Sequence, residues 1–591
     1  MPTYQAPTRD FEFVLNELLD WNKISSLPGY EHANRETISA VLNEAGRFCS
    51  NILLPLNRSG DEEGCKYENG VVRPPRGFKE AYQSYVEAGW PAVSAAEEDG
   101  GQGLPYTVHF CVEEMITSTN MAFGNYSGLT HGTYKVIRDH GTEEQKRKFL
   151  GKLAGGEWSG TMCLTEAHCG TDLGLLRTKA VPGKNGSYRI TGEKIFISSG
   201  EHDLSKNIVH LVLARLPDAP AGVKGISLFI VPKFIVAEDG EPGARNGVRC
   251  SGIEHKMGIR AAATCVMNFD NAEGYLIGEP HKGVRNMFTM MNIMRILMGV
   301  QGVGFAEGSY QAARLYAKER LQSRAVSGAK HPEKPADPII FHPDVRRMLL
   351  TMRAWAEGCR ALTLWTAGFV DTAEKHPDAK VRAEAEEMRG FLTPIVKAFN
   401  TDSGYEAANW GVAIYGGHGF IREHGMEQFV RDAKITQLYE GTNGIQSLDL
   451  AARKLSANNG RAVKAFSKLI DDYLASRLPN SNTSYVVALA RAYGDFQVAT
   501  RHILDHLSSD PDEVAAAATD YLRLTGLVAL AYLFARSADI AANADQSDSF
   551  YRGKIVLADF FATKILPQTG SLLQSIKAGA SPLMALAADE F

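Results

Sequence analysis

Several features that define whole classes of protein are missing from this 591-residue sequence. It has no long run of basic residues and a net charge of -5, whereas a nucleic-acid-binding domain usually carries a basic stripe. Its eight cysteines include no C-x-x-C pair and no Cys/His spacing typical of zinc sites. We therefore expect reduced intracellular thiols, no metal site and no nucleic-acid partner.

Signals for export or membrane insertion are also lacking. The opening residues, MPTYQAPTRDFEF, contain no basic segment followed by an apolar core, so no signal peptide is expected. The longest apolar run near the C-terminus covers 524–535, between Arg523 and Arg536. It falls short of the roughly 20 residues that span a bilayer. The sequence therefore predicts a cytoplasmic protein without membrane insertion.

Familiar catalytic and nucleotide-binding motifs are absent as well. There is no G-x-S-x-G elbow, no P-loop, no H-E-x-x-H and no complete dinucleotide-binding G-x-G-x-x-G. Gly302 and Gly304 supply half of the last motif, but they lie within a helical pattern, which predicts helix packing. His418 and His424 flank a glycine-rich turn without a third ligand at metal spacing, so we expect them to pack or hydrogen-bond.

The first part of the chain, 1–158, is predicted to be an α-helical domain. Asp10 can cap a first helix, because apolar residues then recur at helical spacing from Phe11 to Leu19. Similar patterns predict further helices over 36–53, 77–88, 108–118 and 143–154.

The pattern changes to short β-branched and aromatic runs in 159–280. Strands are predicted over 187–198, 207–214, 225–232 and 264–269, separated by turns. Strands of this length and spacing are typical of a small antiparallel sandwich or barrel.

Helical patterns return in 281–455 and continue in 456–591. Long helices are predicted over 284–318, 344–373, 381–409 and 427–438, forming a bundle, and 456–460 is predicted to be a linker. The last part is helical through 578, and residues 451–591 contain 14 Lys/Arg and 14 Asp/Glu. The fold class is therefore α+β and multidomain, with an additional C-terminal helical domain.

The stretch 411–446 contains the most informative pattern. Glycines lie on both sides of a helical segment that leads into Tyr439-Glu440-Gly441-Thr442. A carboxylate at such a turn can reach into a cleft, and burial there would raise its pKa into the range of a general base. By spacing alone, the favoured interpretation of Glu440 is an ordinary solvated acid at a helix end.

The same stretch resembles the C-terminal motif of the acyl-CoA dehydrogenase family, which has a Gly-Gly-x-Gly element, an Arg-Asp pair and Y-E-G-T. The resemblance implies the family's fold and makes Glu440 the base that removes the α-proton of an acyl-CoA thioester. It also implies that FAD is the cofactor. Further roles follow for neighbouring residues: FAD contacts by Gly416, Gly417 and Thr442, and substrate contacts by Tyr439 and Gly441.

Two segments of the β-rich region are similar to the family's flavin-binding motifs. The first is 162–172, which without the resemblance is a strand followed by a turn capped by Asp172. The second is 192–200, a strand predicted to place Ile195 and Ile197 on one face and Phe196 and Ser198 on the other. The alternative for Phe196 is an ordinary core aromatic. The resemblance implies FAD contacts by Cys163, Thr165, Thr171, Phe196 and Ser198, and a substrate contact by Thr171 as well.

A third group of residues is implied to bind phosphates. Arg320 and Gln322 match a family segment that reaches the FAD of a partner subunit, although Ser323-Arg324 stands where the family has Phe-Gly. A guanidinium suits a pyrophosphate, but a solvated cation at a helix end is the other reading. Asn292 and Arg295 match positions that contact the CoA moiety, with Asn replacing the family's acid.

The opening Y-x-A-P-x-R-D-x-x-F-V-L (Tyr4–Leu15), the segment YEGTNGIQSLDLAARKL and the helical tail are similar to one branch of the family over nearly the whole chain. This branch contains the 3-(methylthio)propanoyl-CoA dehydrogenases of dimethylsulfoniopropionate breakdown. The resemblance implies a homodimer that oxidises this acyl-CoA and passes electrons to an electron-transfer flavoprotein. Alternatives are a dehydrogenase of short- or medium-chain fatty acyl-CoA, an acyl-CoA oxidase, and a non-catalytic DNA-binding relative. The balanced charge of 451–591 argues against the last, because binding to phosphates needs a cationic surface.

Overall fold

The N-terminal part of the chain is mainly helical, as the apolar spacing predicts. The computed structural model describes residues 2–478 and 483–591. Its first seven helices are α1 (Thr8–Phe13), α2 (Asn22–Ser25), α3 (Arg35–Phe48), α4 (Leu54–Glu63), α5 (Phe78–Glu87), α6 (Tyr106–His140) and α7 (Glu143–Ala154), with a hairpin of β1 (Lys66–Glu68) and β2 (Val71–Arg73). Asn120 breaks α6 with a φ of -161° and a ψ of 81°, so the helix predicted over 108–118 corresponds to the segment of α6 before this kink.

The predicted cap of the first helix is wrong. Asp10 lies inside the first turn of α1, which follows Pro7, and its carboxylate is buried. It forms ion pairs with Arg360 and Lys554, which are far away in the sequence. A local capping pattern cannot reveal such distant partners. It indicates only capping, which is the commoner role of an Asp at the start of a helix.

The β-rich region forms a barrel. The strands of this sheet are β3 (Trp158–Cys163), β4 (Lys179–Pro182), β5 (Tyr188–Ser198), β6 (Asn207–Arg215), β7 (Ile226–Pro232), β10 (Val248–Ile253) and β11 (Thr264–Leu276), while β8 (Phe234–Val236) and β9 (Pro242–Arg245) form a separate antiparallel pair. Pairing of β11 with β5, β5 with β4, β4 with β6, β6 with β7 and β7 with β11 closes a ring. The expected antiparallel arrangement is only partly right, because β6 pairs in parallel with β3 and β4. The connections between these strands are long enough for a parallel crossover.

Five further helices follow the barrel, close to the predicted ranges. They are α8 (Gly283–Glu319), α9 (Pro343–Lys375), α10 (Ala379–Tyr415), α11 (Met426–Lys434) and α12 (Asn443–Asp449). Gly302 of α8 and Gly404 of α10 let two backbones approach, since a Cβ on Gly404 would lie 2.2 Å from the Gly302 carbonyl oxygen. The prediction that Gly302 serves helix packing is therefore confirmed.

The C-terminal part is helical, as expected. It comprises α13 (Ala457–Arg477), α14 (Ser484–His506), α15 (Pro511–Ala542), α16 (Ser549–Phe560) and α17 (Gln568–Ala578). The predicted linker coincides with three left-handed residues at the start of α13, with φ of +50° at Asn458, +58° at Asn459 and +70° at Gly460. By length and composition α15 could cross a membrane, but 83% of its most apolar stretch is buried inside the protein. That burial is typical of a core helix.

The chain forms two compact units. One consists of Met1–Gly46, Phe110–Ser118 and Arg295–Phe591, and the other of Arg47–His109 and Thr119–Met294. The barrel lies in the second unit. The turn that carries Glu440 lies in the first.

Candidate active site

The turn between α11 and α12 holds Glu440 in an unusual backbone conformation. Its φ is +57°, and that of Gly441 is +85°. An L-residue would be strained at this φ, and a Cβ on Gly441 would also lie 2.6 Å from Nε2 of Gln446, so glycine suits this position. Thr442 then caps α12 by accepting a hydrogen bond from the Ile445 amide, 3.3 Å away. A left-handed glutamate costs free energy, and such strain is concentrated at functional sites.

The Glu440 carboxyl group is enclosed and poised to take a proton. Its Oε2 atom is buried and has no hydrogen-bond partner among residues 2–478 and 483–591. Burial raises the pKa of Glu440 to about 7, against the opposing charges of Arg295 and Lys397. A carboxyl with this pKa can act as a general base near neutral pH.

Two residues with predicted substrate contacts, Tyr439 and Arg295, interact electrostatically with Glu440. The Tyr439 hydroxyl donates a hydrogen bond to Oε1 of Gln301. Burial, together with the charge of Glu440, raises the pKa of Tyr439 well above its usual value, so it stays a neutral donor. Burial lowers the pKa of Arg295, while the charges of Asp449 and Glu440 act in the opposite direction.

Asn292 lies one turn before Arg295 on α8 and is half-buried. Its role toward the CoA moiety stays a prediction.

Lys397 of α10 also interacts with the base, although it belongs to none of the sequence motifs. Its side chain is 0% exposed, and its Nζ donates to Oδ1 of Asn443 at 2.7 Å. Burial lowers the pKa of Lys397 to about 8, although the charges of Glu440 and Asp402 favour its protonated form. The only signal in the sequence is a lysine within the apolar stretch FLTPIVKAF.

Gly416 and Gly417, which have predicted FAD contacts, begin a short 3-10 turn, Gly416–Phe420, directly after α10. Gly416 has φ of +59°, and a Cβ on either glycine would meet open space. Nδ1 of His418 in this turn is 2.9 Å from the hydroxyl of Tyr316, whose ring stacks on Tyr415 with centroids 3.9 Å apart.

Tyr316 lies in the last turn of α8, shortly before Arg320. Its contacts with Tyr415 and His418 therefore place the end of α8 next to the glycine turn. His418 also stacks on His424, with ring centroids 4.7 Å apart. The expectation that these histidines pack and hydrogen-bond is confirmed.

Arg320 and Gln322 lie at the exposed start of the loop after α8. The Arg320 carbonyl accepts from the Ile339 amide at 2.8 Å, and the Gln322 amide donates to the Asp337 carbonyl at 3.0 Å. Arg324, at the position where the resemblance fails, pairs with Asp337 at 3.4 Å. That departure therefore serves the loop's own structure and leaves the Arg320 side chain exposed.

In the second unit, a buried ion pair holds the segment after β3. The sequence motifs do not predict this pair. Nζ of Lys194 donates to Oε1 of Glu166 at 2.8 Å and to the Leu164 carbonyl at 3.0 Å. Burial alone would raise the pKa of Glu166, but Lys194 and hydrogen bonds from Thr178 and the Arg177 amide lower it to about 2.

Within this segment the predicted contacts differ in exposure. Cys163 is buried, with its Sγ 3.5 Å from Oγ1 of Thr161, so only its backbone can face a ligand. Thr165 is half-buried and Thr171 is exposed. The predicted turn cap is confirmed, because Oδ1 of Asp172 accepts from the Gly174 amide at 3.0 Å.

A β-bulge in β5 turns Phe196 outward. Ile195 and Phe196 together lie opposite one residue of β11, and Phe196 has φ of +58° and is 58% exposed. The predicted alternation is therefore interrupted: Ile197 is buried, whereas Ile195 is only half-buried. Bulges commonly re-aim a side chain beside a functional site.

The surface around Phe196 suits a flat aromatic cofactor. An outward aromatic ring gives a stacking surface, Ser198 follows two residues later, and the Ile195 amide donates to the Thr165 carbonyl at 2.9 Å, which brings the segment after β3 beside this strand. An isoalloxazine ring has this mixed character, with an apolar face and a polar edge.

Four family models match consecutive parts of the chain. They are the N-terminal (35–157), middle (161–272) and C-terminal (281–455) domains of acyl-CoA dehydrogenase and an acetyl-CoA dehydrogenase C-terminal-like domain (463–587). The chain belongs to the acyl-CoA dehydrogenase family. The family, fold class, enzyme class and FAD cofactor implied by the sequence motifs are thereby confirmed.

Relatives of this acyl-CoA dehydrogenase match it over almost its full length. It is 45% identical over 570 residues to the 3-methylmercaptopropionyl-CoA dehydrogenase of Ruegeria pomeroyi, covering 95% of this chain and 96% of the relative. It is 35% identical to a butyryl-CoA dehydrogenase of Syntrophomonas wolfei, covering 97% of each.

A solved acyl-CoA dehydrogenase complexed with FAD from Bacillus anthracis has the same fold. Its TM-score is 0.74 at 21% identity, covering 98% of this chain and 92% of that one.

Proposed function

We propose that this acyl-CoA dehydrogenase oxidises 3-(methylthio)propanoyl-CoA to 3-(methylthio)acryloyl-CoA, with Glu440 as the base. The buried carboxyl of Glu440, with a pKa of about 7 and a hydrogen-bond-free Oε2 among the described residues, carries the assignment of the base. The acyl group is supported by the 45% identity to a relative named for that substrate.

The reaction breaks one C–H bond on each side of the new double bond. Glu440 accepts the α-proton on its carboxylate, and the electron pair of that bond forms the Cα–Cβ double bond. Bound FAD supplies the acceptor for the hydride that leaves Cβ. The Glu440 amide, which donates to no described backbone carbonyl or side chain, is free to polarise the thioester carbonyl.

The residues that match the family motifs are proposed to hold the cofactor and the substrate. The outward exposure of their side chains supports FAD contacts by Phe196 and Arg320. Open space around Gly416 and Gly417 supports a close approach of phosphate there. The proposed FAD contacts are Cys163, Thr165, Thr171, Phe196, Ser198, Arg320, Gln322, Gly416, Gly417 and Thr442. The proposed substrate contacts are Thr171, Asn292, Arg295, Tyr439 and Gly441.

We also propose a cytoplasmic homodimer that passes its electrons to an electron-transfer flavoprotein, with domains at 1–158, 159–280, 281–455 and 456–591. The dimer is supported by apolar side chains beside the glycine turn, where Phe420 is 81% exposed and Ile421 is also exposed. Exposed apolar groups of this kind mark protein interaction surfaces when they cluster.

The substrate is tested by comparing kcat/KM for 3-(methylthio)propanoyl-CoA, butanoyl-CoA and octanoyl-CoA, with electron-transfer flavoprotein as acceptor. The proposal expects the methylthio compound to give the highest value. Equal or higher values with butanoyl-CoA, as the Syntrophomonas relative's name would lead one to expect, would contradict the proposed acyl group and leave the reaction type unchanged.

A further inference from the structure

The turn that carries Glu440 is held at both ends by one helix. On its N-terminal side, Nε2 of Gln437 donates to Oδ1 of Asp402 at 2.6 Å. On its C-terminal side, Nδ2 of Asn443 donates to the same oxygen at 2.7 Å. Asp402 belongs to α10, so this helix fixes the ends of a segment of only five residues, 438–442, at whose centre the base lies.

Lys397 completes this arrangement one turn earlier on α10. Its ammonium donates to Oδ1 of Asn443 at 2.7 Å, so both polar atoms of the Asn443 side chain are bound to α10. The ammonium is completely buried, where an uncompensated charge would be very costly. A neutral residue could fill this space at lower cost if packing were the only requirement.

We propose that Lys397 is a positioning residue for the base: it anchors the Glu440 turn through Asn443, and its positive charge keeps the Glu440 carboxylate ionised. This inference rests on the proposed role of Glu440 and extends it to a residue that bears no part of the family motif.

The charges around Glu440 favour this role. Lys397 approaches from α10 and Arg295 from α8, and both lower the pKa of Glu440 against the effect of burial. Arg295 also interacts with Asp449 and with Arg453, and Lys397 also interacts with Asp402. Lys397 is also bound directly to the C-terminal flank of the Glu440 turn, through its hydrogen bond to Asn443.

The direction in which the pKa of Glu440 changes follows from the charge that is removed at Lys397. Removing the positive charge withdraws a lowering influence, so the pKa of Glu440 rises above its present value of about 7. A rise of about 1–2 units would leave ~5- to 50-fold less ionised base at pH 7. At a pH above the new pKa the carboxylate is ionised again, so the rate recovers.

The test uses the FAD-loaded enzyme and measures the rate of flavin bleaching by 3-(methylthio)propanoyl-CoA in anaerobic stopped flow between pH 5.5 and 10. Lys397→Gln removes the charge and keeps a polar group for Asn443, and Lys397→Met removes both. Lys397→Arg keeps the charge. Lys454→Met removes a lysine of the same unit that is not among the charges acting on Glu440, and it should match the wild type.

We expect both neutral variants to shift the apparent pKa of bleaching upward by about 1–2 units, with Lys397→Arg staying near the wild-type value. A rate that falls equally at every pH, with no shift in the profile, would overturn the inference, because it indicates only structural damage. If Lys397→Met does not retain FAD, Lys397→Gln decides by the same criterion.

The variant Glu440→Gln distinguishes a wrong assignment of the base from a wrong role of Lys397. Wild-type bleaching in that variant would contradict the proposed function itself. Loss of bleaching there, combined with an unshifted profile in Lys397→Gln, would contradict only the role of Lys397.

Discussion

Three glutamates of this protein show how burial and neighbouring charges set the pKa of one residue type. Burial is the only cause that acts on Glu113, and it raises that pKa to about 8. Glu166 is held at about 2 because Lys194 and hydrogen bonds from its neighbours outweigh burial. Glu440 lies between them at about 7, since Arg295 and Lys397 offset burial only in part. A base needs this intermediate state, in which it is often ionised but still attracts a proton.

The pH dependence of flavin reduction follows from the raised pKa of Glu440. Its carboxyl must be ionised to accept the α-proton, and ionisation is lost as the pH falls through about 7. We expect the rate of anaerobic bleaching to rise about tenfold from pH 6 to pH 8 and then level off. A rate that stays constant down to pH 5 would mean that another group is the base.

At the scale of an element, the end of α8 and the glycine turn form one structure. Tyr316 joins them by stacking on Tyr415 and by its contact with His418. This leaves Arg320, one turn later, exposed at the end of the helix, where a guanidinium can form paired hydrogen bonds with a pyrophosphate.

Arg320→Ala should therefore weaken the binding of FAD. Loss of a charged hydrogen bond costs about 1.5–3 kcal/mol, which corresponds to a rise in Kd of ~10- to 150-fold. Fluorescence titration of the apoprotein with FAD measures this. Arg346→Ala is the matched control, since Arg346 is an exposed arginine on α9. The same FAD affinity in both variants would contradict the proposed contact.

At the scale of the whole molecule, a buried ion cluster connects distant parts of the first unit. Arg360 of α9 is 1% exposed and pairs with Asp10 of α1, Glu114 of α6 and Glu307 of α8. Lys554 of α16 continues the cluster by pairing with Asp10 and Glu357. The additional C-terminal domain is thus bonded through buried charges to the start of the chain and to the helical bundle.

Breaking this cluster should destabilise the protein strongly. Arg360→Met leaves three buried carboxylates without their common partner, and such a loss typically costs about 3–5 kcal/mol. We expect a clearly lower urea midpoint than in the wild type, with Arg346→Met unchanged as the exposed control. An unchanged midpoint for Arg360→Met would mean that the cluster contributes nothing to stability.

The sequence alone predicts the helices, most strands and the position of the Glu440 turn, because these depend on local spacing and on contiguous motifs. It does not predict the partners of Asp10, which lie 350 and 544 positions away. Nor does it reveal the buried positions of Lys397 and Lys194, since local patterns assign lysines to the surface. These residues acquire their roles only when separate helices and strands pack together.

The central claim is that Glu440 takes the α-proton. The most direct test is a single-turnover experiment in which FAD-loaded wild type and Glu440→Gln are mixed anaerobically with 3-(methylthio)propanoyl-CoA. We predict that the variant retains FAD and binds the thioester but bleaches its flavin ~100- to 10,000-fold more slowly, as expected for loss of a general base. Bleaching of Glu440→Gln at the wild-type rate would contradict the claim.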